Sequence, residues 1–125
     1  MPTTAQAMIE AAHAEVPKIT AAEAKALVEN NGALIVDIRD GTEVASTGKI
    51  KGAVHISRGG LESRACPESS THNAELRTDR TIILHCAGGN RAALAGKTLL
   101  DLGFKDVRNL GGFRDWVAAG YDIEK

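Results

Sequence analysis

The sequence predicts an α/β domain, a mainly parallel sheet flanked by helices on both faces. Three observations point there. Short apolar runs alternate along the chain with segments of helical spacing. The run 33–36 is apolar throughout, as in strands covered on both sides. The length of 125 residues suits one domain with one modest core.

Taken in order, residues 4–14 are helix-prone and are expected to pack on the outside, within an N-terminal helical extension spanning residues 1–18. The main domain is expected over residues 19–125. Thr20 and Glu23 have the spacing of a capping box, so a helix follows over residues 21–29 and stops at Asn31-Gly32. Residues 33–36 form a buried strand, with Asp37 and Arg39 at its C-terminal end. Residues 48–52 are loop-like, and 53–56 form a second short strand. The stretch 57–80 has a weak pattern, in which Leu61, Pro67 and Leu76 suggest short helices and loops. Residues 81–85 are the clearest strand, with two β-branched isoleucines after Thr81. Residues 91–102 are the clearest helix, closed by Gly103. A further strand lies within 105–110, and Gly111-Gly112 reads as a turn into a last helix over 113–119.

The composition excludes several classes. Fifteen basic residues against sixteen acidic ones give a formal charge of −1, which offers no support for nucleic-acid or membrane-surface binding. No apolar run has the length of a membrane span, and the N-terminus does not read as a signal peptide. Two cysteines, Cys66 and Cys86, are too few for a disulfide scaffold. These features favour a reducing, cytoplasmic setting. No Cys-x-x-Cys or similar spacing exists, so no metal site is expected.

The segment Cys86-Ala-Gly-Gly-Asn-Arg91 carries the chemistry. A cysteine sits where a buried strand ends, two glycines let the backbone fold tightly behind it, and a helix then starts. In open parallel sheets, ligands bind beyond the C-terminal ends of the strands. The arrangement aims backbone N–H groups at one point with a helix dipole behind them, and such a cradle binds an anion. The nearest anion is the sulfur itself, so the thiolate of Cys86 is favoured, and a persulfide would be held by the same donors. Arg91 adds a fixed positive charge that binds substrate or braces the loop against a carboxylate. A lone cysteine ending an apolar strand is otherwise a small buried hydrophobe.

These residues resemble the rhodanese-like sulfurtransferases over about residues 19–123. Leu34-Ile-Val-Asp-Ile-Arg39 looks like that family's strand ending in Asp-x-Arg, and Glu43 falls where it often has an acidic residue. Gly48-Lys-Ile-Lys-Gly-Ala53 resembles its Gly-His-Ile-Pro-Gly-Ala segment, and the loop from Cys86 to Arg91 resembles its active-site loop. Gly103-Phe104, Val107, Leu110-Gly-Gly112 and Trp116 follow its C-terminal pattern. The resemblance implies a five-stranded sheet and a cysteine that takes a sulfane sulfur from thiosulfate, a polysulfide or a persulfide, then passes it to a thiol or cyanide. That role falls on Cys86, and the cradle on Ala87, Gly88, Gly89, Asn90 and Arg91. No cofactor is implied. The partners implied are a small sulfur donor and an acceptor, the latter a thiol, cyanide or a protein.

Alternatives stay open. One is a persulfide carrier or protein-binding module with little turnover. Another is a phosphatase or arsenate reductase, but phosphatases related to this family use Cys-x5-Arg, whereas four residues separate Cys86 from Arg91. Lys49 and Lys51 replace the family's His and Pro, and with Arg58 they form either a docking face or a plain solvated surface. Ala87, Gly88 and Gly89 offer no side-chain charge to grip thiosulfate, which favours a persulfide or polysulfide donor. Asp37 and Arg39 are candidate braces, Asp37 orienting Arg91 or the loop amides and Arg39 pairing locally; a structural ion pair is the competing reading. Glu43 reads as a solvated helix residue. His85 points away from Cys86, as strand neighbours do, and with His55 reads as a core histidine whose hydrogen bonds are satisfied. Cys66 reads as an incidental thiol, and Trp116 as a core anchor.

Overall fold

The computed structural model describes residues 2–125; Met1 lies outside them. Thr4 caps α1 (Ala5–Glu15) through its hydroxyl, which accepts the Ala7 N–H at 3.1 Å. The capping box at Thr20 and Glu23 forms as its spacing predicts and opens α2 (Ala21–Asn31), which ends on Gly32 at φ +68°. β1 (Leu34–Asp37) leads to α3 (Gly41–Thr47), two short strands β2 (Lys49–Ile50) and β3 (Val54–His55), a 3₁₀ turn at Arg58–Gly60 and α4 (Leu61–Ala65). β4 (Ile82–Cys86), α5 (Asn90–Asp101), β5 (Val107–Gly112), α6 (Phe113–Ala118) and β6 (Ile123–Glu124) complete the chain.

The central sheet is parallel throughout, in the order β3-β1-β4-β5. Successive residues of β1 and β4 face opposite sides, as the pleat requires, and each side is covered. Leu34, Val36, Ile82, Leu84 and Cys86 pack with α5 (Ala92, Ala95, Leu99), with Leu61 and Ala65 of α4, and with Val16. Ile35 and Ile83 pack on the other face with Ala21 and Ala24 of α2, Leu110 and Trp116. Trp116 anchors α6 there, and its indole N–H donates to the Asp122 carbonyl at 2.9 Å. No helix among the described residues is long and apolar enough to cross a membrane.

The strand count departs from the expected five. The main sheet has four strands, and a separate antiparallel pair joins β2 to β6. A fifth position exists beside β5 only as a single bridge, Lys18 against Asn109. There the Ile19 N–H donates to the Asn109 carbonyl at 2.9 Å, and the Asn109 N–H to the Pro17 carbonyl at 2.8 Å. It cannot lengthen, because Pro17 has no N–H and Thr20 already turns the chain into α2. Two of the basic residues are engaged locally. Lys49 holds Glu124 and the Ala53 carbonyl, and Arg58 holds Glu62 and the Thr98 hydroxyl. The weakly patterned stretch 57–80 sends Leu61, Ala65 and Leu76 into the core on the α5 face.

α1 lies along α5. Ala12 and Val16 are buried, and Glu15 reaches Lys97 at 3.4 Å. Val16 sits over Gly96, where an added Cβ would stand 2.8 and 2.9 Å from the two valine methyls. Helix propensity alone would make Gly96→Ala stabilising by about 1 kcal/mol. We expect the crowding against the stiff valine to reverse that sign, with a net loss of about 1–2 kcal/mol in urea unfolding at constant m-value. A gain in stability would mean that α1 is free to shift off α5.

Candidate functional site

The site lies at the C-terminal ends of β1 and β4. Cys86 is the last residue of β4 and only 1% exposed. Ala87 and Gly88 are exposed, while Gly89 is buried at φ +96° and serves as the N-cap of α5. Having no side chain, Gly89 cannot cap that helix through one, so the N–H groups of the first turn are left to the loop. The Gly89 N–H points back at the Cys86 sulfur, with N to Sγ at 2.9 Å. This donor and the positive end of α5 converge beside the sulfur, as at anion-binding helix N-termini.

The loop rests directly on the end of β5. A Cβ on Gly112 would stand 2.5 Å from the Ala87 carbonyl oxygen, and one on Gly89 would stand 3.3 Å from the Gly111 Cα. Gly111-Gly112 is therefore more than a turn: at Gly112 two backbones approach too closely for a side chain, and Gly111 sits at φ +89°, which favours glycine. β5 carries a bulge at Leu110, since Leu84 pairs with Asn109 but His85 with Gly111. Asn109, fully buried, organises the bulge. Its Oδ1 accepts the Gly111 N–H at 2.8 Å, and its Nδ2 donates to the Gly89 carbonyl at 3.1 Å.

Arg91 does not meet Asp37. Its guanidinium makes two hydrogen bonds to Glu43, at 2.9 and 3.1 Å, and Glu43 also accepts the Asp40 N–H at the start of α3. The Arg91 hydrogen bonds hold the Glu43 carboxyl below its usual range. Glu43 is thus the carboxylate that braces the loop arginine, and its reading as a merely solvated residue is corrected.

Asp37 and Arg39 form a buried pair, 0% and 2% exposed. The Arg39 guanidinium donates through Nε at 3.0 and 3.1 Å and through Nη2 at 2.7 Å, and the Arg39 N–H adds a bond at 3.0 Å. Arg39 also reaches the Thr47 hydroxyl and the Gly48 carbonyl, both at 2.8 Å, and lies 4.3 Å from the Phe113 ring centre. Burial is the largest single influence and opposes the Asp37 charge, but the Arg39 hydrogen bonds and the nearby positive charge together hold the carboxyl below its usual range. This is the local ion pair, and the expected role of Asp37 on Arg91 or the loop amides is not seen.

His55 is satisfied by the Arg39 carbonyl at 2.7 Å. His85 is buried as expected, but neither ring nitrogen has a hydrogen-bond partner. Its Nε2 stops 3.6 Å from Asp37, whose oxygens are committed to Arg39, and its ring stacks on Phe113. Burial pushes the imidazole down to about 4, against the pull of Asp37, so it is neutral at pH 7. Cys66 and Cys86 are both free thiols.

A cleft of about 440 Å³ opens beside the loop, lined by Arg39, Glu43, Thr47, Ala87, Phe113 and Arg114 among others. The stretch 57–80 contributes nothing to its lining. Sequence reasoning passed over Asn109, Phe113 and Arg114. The signal available for Phe113 and Arg114 was their place directly after the C-terminal end of a parallel strand, where sites of this fold class form, while Asn109 lies within that strand.

A family model described as Rhodanese-like domain matches residues 20–119. A thiosulfate sulfurtransferase from Ectopseudomonas mendocina is 36% identical over 105 residues, covering 83% of this chain and 87% of that protein. Among the curated relatives it matches, this chain spans from about half (51%) to 87% of the first three proteins' lengths. A solved structure from Rhodopseudomonas palustris, a protein of unknown function named a possible tyrosine phosphatase, is 39% identical with TM-score 0.87 and covers 99% of both chains. The solution structure of a polysulfide-sulfur transferase homodimer from Wolinella succinogenes is 34% identical with TM-score 0.75, covering 95% of this chain and 85% of that one.

Two expectations follow from the buried charges. Asp37→Asn leaves Arg39 unpaired in the interior and should destabilise the protein by about 3–5 kcal/mol in urea unfolding. His85 has its folded value depressed to about 4 from 6.5, so the unfolded chain binds the extra proton between those values. Stability should therefore be full above about pH 6.5 and fall as pH drops toward 4, by on the order of 3 kcal/mol. His85→Gln should flatten that slope in urea titrations at pH 4.5, 5.5 and 7, and an unchanged slope would assign it to other groups.

Proposed function

The chain belongs to the rhodanese-like domain family, and on that footing we propose that it is a sulfurtransferase that carries sulfane sulfur on Cys86. The observation that carries the reading is the Gly89 N–H aimed at the Cys86 sulfur at 2.9 Å, at the positive end of α5. The Cys86 thiolate attacks the terminal sulfur of the donor. One S–S bond forms at Cys86, and the donor's S–S bond breaks. Thiosulfate would leave as sulfite, a polysulfide as the chain one sulfur shorter, a persulfide as its thiolate. An acceptor thiolate or cyanide then attacks the outer sulfur of the persulfide and returns Cys86 as thiolate. Both steps balance in charge and need no external oxidant.

The persulfide's outer sulfur is anionic, and Gly89 together with the uncapped first turn of α5 supplies the donors that hold it. Arg91, clamped by Glu43, keeps a positive charge at the loop's end. Arg114 lines the cleft and makes no ion pair among the described residues, so it is the cation available to an anionic donor. At 1% exposure Cys86 suits a donor that presents a terminal sulfur end-on, as thiosulfate, a polysulfide or a small persulfide does, and the absence of side-chain charge on Ala87, Gly88 and Gly89 favours the latter two. The four-residue spacing between Cys86 and Arg91 suits a sulfur atom more than a tetrahedral phosphate.

The test is intact mass after exposure of the reduced protein to polysulfide and, separately, to thiosulfate. Wild type should gain one sulfur atom and Cys86→Ser none, with polysulfide loading faster. Rapid loading with slow release to small thiols or cyanide would mark a carrier. No gain from either donor, with Cys86 still titratable as a thiol, overturns the reading, and hydrolysis of an aryl phosphate lost in Cys86→Ser would replace it with a phosphatase.

A further inference from the structure

Two contacts tie the cradle to residues that precede the family match at 20–119. The first runs through Asn109. Its backbone is bonded on both sides to the N-terminal segment, by the Ile19 N–H at 2.9 Å and the Pro17 carbonyl at 2.8 Å. Its side chain holds the Gly89 carbonyl at 3.1 Å. Gly89 belongs to the cradle, and the peptide plane joining it to Asn90 is rigid. In a trans peptide the N–H points opposite to the C=O, so anchoring the Gly89 carbonyl also aims the Asn90 N–H. The second contact comes from α1. His13 Nε2 lies 3.1 Å from Asn90 Oδ1, with the imidazole as donor and the amide oxygen as acceptor. α1 itself is held against α5 by Val16 over Gly96 and by the Glu15–Lys97 pair.

We propose that Asn109 and His13 are positioning residues for sulfur transfer, through which the N-terminal segment sets the orientation of the Gly89–Asn90 peptide behind the Cys86 sulfur. The proposal rests on the sulfurtransferase reading for its substrate, but not for its geometry. Neither residue touches the reacting sulfur. Each acts on a cradle residue, one from the β5 side and one from the α1 side. Asn109 is the stronger tie because it is fully buried, while the His13 contact is exposed to solvent.

The experiment compares Asn109→Asp, His13→Ala and His13→Gln with wild type in the full chain. Asn109→Asp keeps an acceptor for the Gly111 N–H and loses the donor to Gly89. His13→Gln keeps an N–H donor at about the same reach, and His13→Ala removes it. Two rates are read: sulfur loading of Cys86 from polysulfide, and alkylation of Cys86 by iodoacetamide, which needs no sulfur donor. Asn109→Asp should slow both by about tenfold or more, as misplacement of reacting groups on the ångström scale does. The effect should appear in the maximal loading rate with the donor's half-saturation unchanged. His13→Ala should slow both about two- to fivefold, and His13→Gln should restore them, at unchanged Tm in both. Wild-type rates in Asn109→Asp and His13→Ala overturn the proposal. If Asn109→Asp does not fold, the His13 pair decides, since a loss that Gln does not rescue counts against it. If wild type takes up no sulfur, the sulfurtransferase reading fails while alkylation still judges the positioning.

Discussion

The site depends on the contact between two stretches of bare backbone. The loop after Cys86 lies so close to the end of β5 that a methyl on Gly112 would stand 2.5 Å from the Ala87 carbonyl. That closeness keeps the Gly89 carbonyl within reach of the Asn109 amide, while the Gly89 N–H points at the sulfur. The bulge at Leu110 serves the same end. It shifts the pairing by one residue, so that Gly111 and Gly112, in place of Leu110 and Gly111, stand opposite His85 and Cys86.

A second constraint is electrostatic. The interior near Cys86 holds a carboxylate and a guanidinium that neutralise each other, with nearly all their hydrogen bonds spent locally. Such a pair adds little net stability over apolar packing, but it is costly to break. It also leaves His85 without a partner and therefore neutral. The residue before Cys86 thus brings no charge beside its sulfur. The Glu43–Arg91 pair differs in kind. It is about one-third exposed on each side, so its contribution is to hold a direction more than to stabilise the fold.

Residues 86–91 were legible because their chemistry is local. A cysteine after an apolar strand, two glycines and a helix start lie within six positions, and chain connectivity alone brings them together. The capping box at Thr20 and the closure of α2 by Gly32 were readable for the same reason, as were the central strand and the helix that follows it. The fold class followed from the alternation of such local segments.

What the chain could not disclose on its own is which distant residue meets which. Glu43 reaches Arg91 across 48 positions, and Asn109 reaches Gly89 across 20. Asp37 was a plausible partner for Arg91 until the fold placed Arg39 on both its oxygens. The expected five-stranded sheet has four strands, and the chain beside β5 adds only one bridge because a proline and a helix cap bracket it. Sequence determined the candidate residue, Cys86, and the local shape of its loop, since these rest on backbone geometry and neighbouring residues. The tertiary structure alone decided the brace, the anchor and the partners, since a hydrogen bond forms between whichever groups packing brings within about 3 Å.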